Sequence, residues 1–451
     1  MSFDPAAHGT GIVHIGPGAF HRAHQAVYTQ QAMEAAGGDW RITGVSLRST
    51  TIADALTAQD GRYTLVVRAE EGPEFRVIKA LSGAVSAAQG LEPVFGVLAA
   101  PSTKIVSLTV TEKAYQITPS SEETNVIRVL VEALSRRKTA GLNGVTLLSC
   151  DNLADNGRVL REAVLGHAGT LDAGLVAWIQ TNVSFPSTMV DRITPATTPA
   201  LVQLVKQDTG WGDQIPIETE PFSQWIIEDN FVQGRPAWEA AGALLVSDVK
   251  PYEHMKLRML NGSHSLIAYA GHLTGQTYVR DVMAHGALAS RVAQHMKAAA
   301  ATLDPISGIE FEAYGEALLA RFRNPHIAHE SYQIAMDGSQ KMPPRIFAPA
   351  LEAAQHGQDI APYALATALW LRYLEGRTDT GTTYALRDPR EAELSALPLP
   401  ATERVNALFA LPNLVPASLA ANSDFHRLIV TNLKAFATHG VEATLSQTQH
   451  V

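Results

Sequence analysis

One cysteine, Cys150, stands in 451 residues. A single thiol excludes an internal disulfide and any zinc site built from several cysteines. It fits a reducing compartment, so the expected location is the cytoplasm. Long apolar runs are also lacking. No window approaches the roughly 18 uninterrupted apolar residues of a membrane span, and the opening MSFDPAAHGTG has no apolar core of a secretory signal. Basic tracts are absent as well. Lys and Arg number 35 against 44 Asp and Glu, a net charge of −9. Nucleic acid and anionic membrane surfaces are therefore poor partners. Neither repeats nor low-complexity tracts occur. What the chain has is apolar mass: 46% hydrophobic against 18% charged residues, enough for a large core. At roughly 150 residues per domain the length suggests two or three domains. These features predict a soluble, multi-domain protein of enzyme size.

Short apolar runs read as strands at residues 11–15, 40–47, 63–68, 75–80, 104–110 and 144–149. Helical patterns lie between them, at 20–36 and 123–138. Strands alternating with helices predict an α/β domain with a parallel, helix-covered sheet. Past Pro251 the texture changes to Ala- and Leu-rich stretches of helical spacing at 252–272, 280–303, 309–323, 346–356 and 361–375. The expected division is 1–248 and a mostly helical 249–451.

Between the first strand and the first helix lies Ile15-Gly16-Pro17-Gly18-Ala19-Phe20-His21. Gly16 permits a tight turn, and Gly18 lets a pyrophosphate approach the backbone. Ala19 and Phe20 open a helix whose N-terminus favours anions. The usual third glycine is His21. A plain strand–turn–helix corner would use similar residues, but the placement favours a dinucleotide site. The second strand runs out into Leu47-Arg48-Ser49-Thr50, where an NAD site often has an acid for the ribose 2′-hydroxyl. Arg48 and Ser49 leave NADP open; an ordinary solvated arginine is the alternative.

The most unusual segment is Tyr252-Glu253-His254-Met255-Lys256-Leu257-Arg258-Met259-Leu260-Asn261-Gly262-Ser263-His264. On a straight α-helix Glu253 neighbours Lys256, and Asn261 neighbours His264. Lys256 and Asn261 lie about 140° apart around the axis. The Asn-Gly pair predicts a turn or kink that could bring them to one side. A surface helix with a local salt bridge and a glycine stop is the plainer reading. Tyr252 and Lys256 also match the Tyr/Lys pair of short-chain dehydrogenases, though some 100 residues too late in the chain. A further polar cluster, Ser149-Cys150-Asp151-Asn152-Leu153-Ala154-Asp155, follows a predicted strand end, where open α/β sheets place their ligands. Its residues would equally cap the next helix. Asp191 could be half of a local ion pair.

Together these segments resemble the mannitol dehydrogenase family of long-chain polyol-specific dehydrogenases. The resemblance rests on IVHIGPGAFHRAHQAVY (12–28), SLTVTEKAY (107–115), SCDNLADNG (149–157), FPSTMVDRITP (185–195), EPFSQWIIEDNFVQGRPAW (220–238), YEHMKLRMLNGSHS (252–265) and QIAMDGSQK (333–341). It implies an extended Rossmann-type domain followed by a mostly α-helical one, and a metal-independent secondary-alcohol dehydrogenase using NAD, with NADP not excluded. By the same resemblance Lys256 is the general base, Asn152 and Asn261 hold the substrate oxygen, His264 binds a neighbouring hydroxyl, and Glu253 relays the proton. Thr109, in the SLTVTEKAY segment, and Asp191 fall to the cofactor side. The substrate would be a polyol or ketose of the mannitol/fructose type, or a sugar acid of the mannonate/fructuronate type. The protein would be a monomer or small homo-oligomer. Gln333 stands where some polyol enzymes of the family have a substrate-contacting Arg. A sugar acid needs a cation, for which Arg258, Lys341 and Arg345 are candidates.

Overall fold

The computed structural model describes residues 3–117 and 122–447. The chain divides into two compact units, Met1–Lys250 and Pro251–Val451.

The first unit is built on a five-stranded parallel sheet. Its strands are β1 (Thr10–Ile15), β2 (Arg41–Ser46), β5 (Leu81–Ser86), β6 (Ile105–Leu108) and β7 (Thr146–Ser149), in the order β5-β2-β1-β6-β7. Alternation along β1 explains why both faces are covered. Ile12 packs with Ile42, Ile105 and Leu148 over Trp225 and Trp238. Val13 and Ile15 point the other way, to Val106, Leu147 and the helix Val126–Thr139. A parallel sheet buried on both sides needs this near-continuous apolar run. Asn125 caps that helix through Oδ1, which accepts from the N–H of Ile127 at 3.0 Å.

Two three-stranded sheets complete the unit. One is β4-β3-β9, with β3 (Tyr63–Ala69) antiparallel to β4 (Gly72–Ile78) and parallel to β9 (Ile217–Thr219). The other is β11-β10-β8, from β8 (Thr188–Asp191), β10 (Gln224–Glu228) and β11 (Leu244–Val246). The runs at 63–68 and 75–80 are therefore a hairpin outside the parallel sheet. The expected helix 20–36 is interrupted at His24 into α1 (Ala19–Ala23) and α2 (Gln25–Ala36). The break has a tertiary cause: Nε2 of His24 lies 2.9 Å from the Gln224 carbonyl, and its ring packs on Phe20 and Trp225.

The second unit is helical. Its central helix, Gly262–Leu273, is buried on nearly every residue, as a helix apolar all round must be. The predicted helix 280–303 divides at His285 into Val279–Ala284 and Gly286–Ala301. Among the described residues no helix is long and apolar enough to cross a membrane.

Candidate active site

The carboxyl ends of β1, β2 and β6 open into a cleft of about 900 Å³ lined by Gly16, Arg48, Ser49, Thr109 and Val110, among others. Gly16 has φ +89, and a Cβ there would meet the Thr109 carbonyl oxygen at 2.3 Å. Only glycine fits this conformation and this approach. The turn is held from beneath. Thr109 Oγ1 donates to the Gly16 carbonyl at 2.8 Å, and Nε2 of His14 lies 2.8 Å from the same hydroxyl. Nε of Arg22 donates to the Pro17 carbonyl at 3.2 Å. Burial lowers His14 to about 3, so its ring is neutral in a polar network. His21, the residue in the third-glycine place, is buried and stacks on His14 with ring centres 3.4 Å apart. It is a packing residue beneath the turn. Ala19 and Phe20 form the start of α1, directly after Gly18. The cradle around Gly16 fits a dinucleotide pyrophosphate.

Asn152 is exposed on the loop after β7. Its neighbour Asp151 is buried and ties that loop to the one after β6. The Asp151 carboxylate accepts from the N–H groups of Val110 and Thr111, at 2.8 and 3.0 Å, and from the Tyr115 hydroxyl at 2.6 Å. Asn156 fastens the loop from the other side, donating to the carbonyls of Asp151 and Thr188. Asp191 is buried at the end of β8, in a different sheet, and is not among the residues lining the cleft.

The second unit holds Lys256, Asn261 and His264, all buried. The Asn-Gly pair is neither a turn nor a helix stop. Lys250–Met255 and Gly262–Leu273 are α-helical, and the residues between, Lys256–Asn261, form a π-helix. The Gly262 N–H donates to the Leu257 carbonyl, five residues back. The wider turn brings residues five apart into near register. Lys256 and Asn261 thereby come to one face, and His264, three residues on, follows Asn261 on it. Gly262 has helical angles, φ −62 and ψ −47. Its glycine is required by a close approach: a Cβ would meet Nε2 of His295 at 2.6 Å.

A second π segment, Pro343–Phe347, packs against the first. It carries Arg345, whose Nη1 donates to the Asn261 carbonyl and to Ser265 Oγ, each at 3.3 Å. Burial lowers Arg345 to about 10. Lys341, on the helix Gly338–Met342, donates to the Ile334 carbonyl at 3.0 Å and is lowered to about 8, by burial first and then by Arg345. Among the described residues neither cation is ion-paired with a carboxylate. Arg258 is different. It makes a two-pronged pair with Glu352, at 2.6 and 2.8 Å, and also donates to the Thr302 carbonyl. It is committed to structure and leaves the list of candidate substrate cations. The His264 ring packs on Phe322 and edge-on to His329. Burial, then the charges of His329, Arg345, Arg321 and Lys256, hold His264 well below the usual histidine range, so it is neutral. Its Nε2 is buried with no hydrogen-bond partner among the described residues. Glu253 is half-buried one helical step before Lys256, and Gln333 is exposed on the helix Ser331–Ala335. Among the described residues no group of three or more His, Cys, Asp or Glu could hold a metal ion.

His14, Asp151 and Asn156 were not singled out from the sequence for the roles they play. A histidine inside an apolar strand and an aspartate next to Asn152 were the available signals.

A dinucleotide-type α/β unit with a glycine cradle, followed by a helical unit with a lysine, an asparagine and a histidine on one face, defines the class of the protein. The family follows from comparison. The mannitol dehydrogenase Rossmann domain profile matches residues 10–240, and the mannitol dehydrogenase C-terminal domain profile matches 248–437. The chain belongs to the mannitol dehydrogenase family. It is 40% identical to D-mannonate oxidoreductase of Escherichia coli K12, over 94% of this chain and 92% of that protein. It is 36% identical to mannitol 2-dehydrogenase of Aspergillus terreus, over 96% and 92%. The solved ternary complex of Pseudomonas fluorescens mannitol 2-dehydrogenase with NAD and D-mannitol superimposes with TM-score 0.85 at 35% identity, covering 98% of this chain and 95% of that one. A D-sorbitol dehydrogenase in substrate-free form gives TM-score 0.89 at 32% identity, covering 98% and 96%.

Proposed function

We propose that this chain is a nicotinamide-dependent dehydrogenase that interconverts the secondary alcohol of a six-carbon sugar acid and its keto form, of the D-mannonate/D-fructuronate type. The observation that carries the choice of a sugar acid is the pair Lys341 and Arg345. Among the described residues neither half-buried cation is ion-paired with a carboxylate; the charge of Arg345 acts on the neutral His264 and that of Lys341 on His329 beside it, while Asp337 and Asp388 act on Lys341 only at a distance. Buried charge is costly unless paired, and a substrate carboxylate would supply the missing charge. The 40% identity to a D-mannonate oxidoreductase supports the same reading.

Lys256 is the general base. Oxidation of a carbinol needs its hydroxyl proton removed as the hydride leaves, so Lys256 must bind substrate as the neutral amine. A bound nicotinamide supplies the hydride acceptor, or the donor in reduction. Gly16, Gly18, Ala19 and Phe20 hold its pyrophosphate, and Arg48, Ser49 and Thr109 line the rest of its cleft; Asp191 remains a candidate on the cofactor or substrate side. Asn152 and Asn261 donate amide N–H groups to the substrate oxygen, where charge develops. His264 has an unsatisfied Nε2 for an adjacent hydroxyl. Glu253, one helical step from Lys256, passes the proton to solvent. The catalytic division runs 1–248 for the cofactor and 249–451 for the substrate.

The second reading is the mannitol/fructose pair, favoured by the mannitol bound to the solved relative. A panel of fructuronate, tagaturonate, fructose and xylulose with reduced cofactor decides. A kcat/KM for fructuronate at least tenfold above fructose is expected; the reverse order transfers the assignment to the polyol.

A further inference from the structure

We infer that His295 is a positioning residue: its ring, set against the π turn Lys256–Asn261, fixes the register that puts Lys256 and Asn261 on one face. The inference rests on the reading of Lys256 as the general base. A π turn inside a helix interrupts the regular ladder, and buried backbone groups that lose a partner must find another. In an α-helix the Gly262 N–H would take the Arg258 carbonyl, four residues back. Here it takes Leu257, five back, so the Arg258 carbonyl loses that donor.

The ring of His295 fills the gap. It comes from the helix Gly286–Ala301, is fully buried, and its Nε2 stands 2.6 Å from where a Cβ of residue 262 would be. A side chain inserted beside the ladder is one of the few causes of such an interruption. Burial lowers His295 to about 4, and the Arg258 carbonyl opposes that lowering. A carbonyl only accepts, so the neutral imidazole turns its N–H toward it. The contact lies outside strict hydrogen-bond geometry, and neither ring nitrogen has another partner among the described residues. Two buried ring nitrogens are costly in a residue that only packs. Tyr363 backs the ring edge-on, with centres 5.4 Å apart. The same helix grips Arg258 a second time. Thr302, which caps its C-terminal end, accepts from Arg258 Nη1 through its carbonyl at 2.7 Å and its hydroxyl at 3.0 Å. Backbone and side chain of a residue in the middle of the π turn are thus both referred to one helix. An α register would return Lys256 and Asn261 to about 140° apart.

Steady-state reduction of fructuronate and fructose by NADH, with NADH binding and thermal unfolding recorded on the same samples of the full chain, tests the role. His295→Phe keeps an aromatic ring and loses the N–H. Its kcat should fall about 10²-fold, the cost of roughly 1 Å of misplacement, while NADH affinity stays within about twofold of native. His295→Gln returns an amide donor to the Arg258 carbonyl and should recover kcat to within about fivefold of native. Where His295→Phe does not fold, His295→Asn, with a shorter amide, carries the same expected loss. Near-native kcat in a folded His295→Phe or His295→Asn protein overturns the inference, and so does a His295→Gln protein as slow as His295→Phe. Lys256→Ala in the same assay separates the two failures. Near-native turnover there overturns the reading of Lys256; an inactive Lys256→Ala beside an active His295→Phe overturns the role of His295 alone.

Discussion

Replacing Gly262 by alanine sets helix propensity against packing. Gly262 has ordinary helical angles, so propensity alone favours alanine by about 1 kcal/mol. The surroundings oppose that gain. A Cβ would lie 2.6 Å from Nε2 of His295 and 3.2 Å from the Arg345 carbonyl oxygen. His295 is fully buried on the helix Gly286–Ala301, and the Arg345 carbonyl is backbone of the second π segment. Neither neighbour can swing away. Overpacking of this kind costs about 1–3 kcal/mol, so the net loss reaches about 2 kcal/mol. For a unit of some 200 residues each kcal/mol moves the melting temperature by about 2–4 °C, giving a fall of up to about 8 °C. Thermal unfolding followed by far-ultraviolet circular dichroism reads it. A second readout is kcat, because the strained neighbour Arg345 hydrogen-bonds the Asn261 carbonyl. A Gly262→Ala protein more stable than the native chain, by the full propensity gain of about 1 kcal/mol, would refute the close-approach argument and return the Asn-Gly pair to a local role.

Lys341→Met should raise KM for fructuronate about tenfold or more and leave KM for fructose within about twofold; equal effects on both would remove the carboxylate role. Lys341 is lowered to about 8 from the usual 10.5, so it is a cation below that pH and neutral above it. Initial rates should then show KM for fructuronate rising as pH passes 8, while any Lys341-linked rise is missing for fructose. Tyr252→Phe should retain most activity, since Lys256 and not Tyr252 takes the proton; an inactive Tyr252→Phe beside an active Lys256→Met would favour a short-chain type of mechanism. Asp151→Ala removes three hydrogen bonds to a buried carboxylate and should destabilise the first unit by about 3 kcal/mol in urea unfolding; a midpoint within experimental error of the native one would count against the clamp.

The features legible in the sequence were those set by periodicity along one element. Strand β1 is legible because burial on both faces makes it a short continuous apolar run, and the helical texture after Pro251 because its apolar residues recur at helical spacing. What escaped was set by contacts distant in the chain. The Asn261-Gly262 pair carries a turn signal, yet its glycine answers to His295 and Arg345, which no local pattern reveals. The 140° separation of Lys256 and Asn261 holds for an α-helix, and the π segment changes the repeat itself. The break at His24 exists because Trp225 and the Gln224 carbonyl receive its ring. Among Arg258, Lys341 and Arg345 the sequence offered no choice, because only the fold shows that Glu352 claims Arg258. His14 and Asp151 act through partners in the loop after β6, His14 on Thr109 and Asp151 on Val110.

The central claim is that Lys256 accepts the substrate proton. The direct measurement is steady-state turnover of Lys256→Ala beside the native chain, with cofactor binding and thermal unfolding recorded on the same samples. The account predicts a fall in kcat of about 10²–10⁴, with native-like cofactor affinity and folding. Near-native turnover in a folded, cofactor-binding Lys256→Ala protein would contradict it.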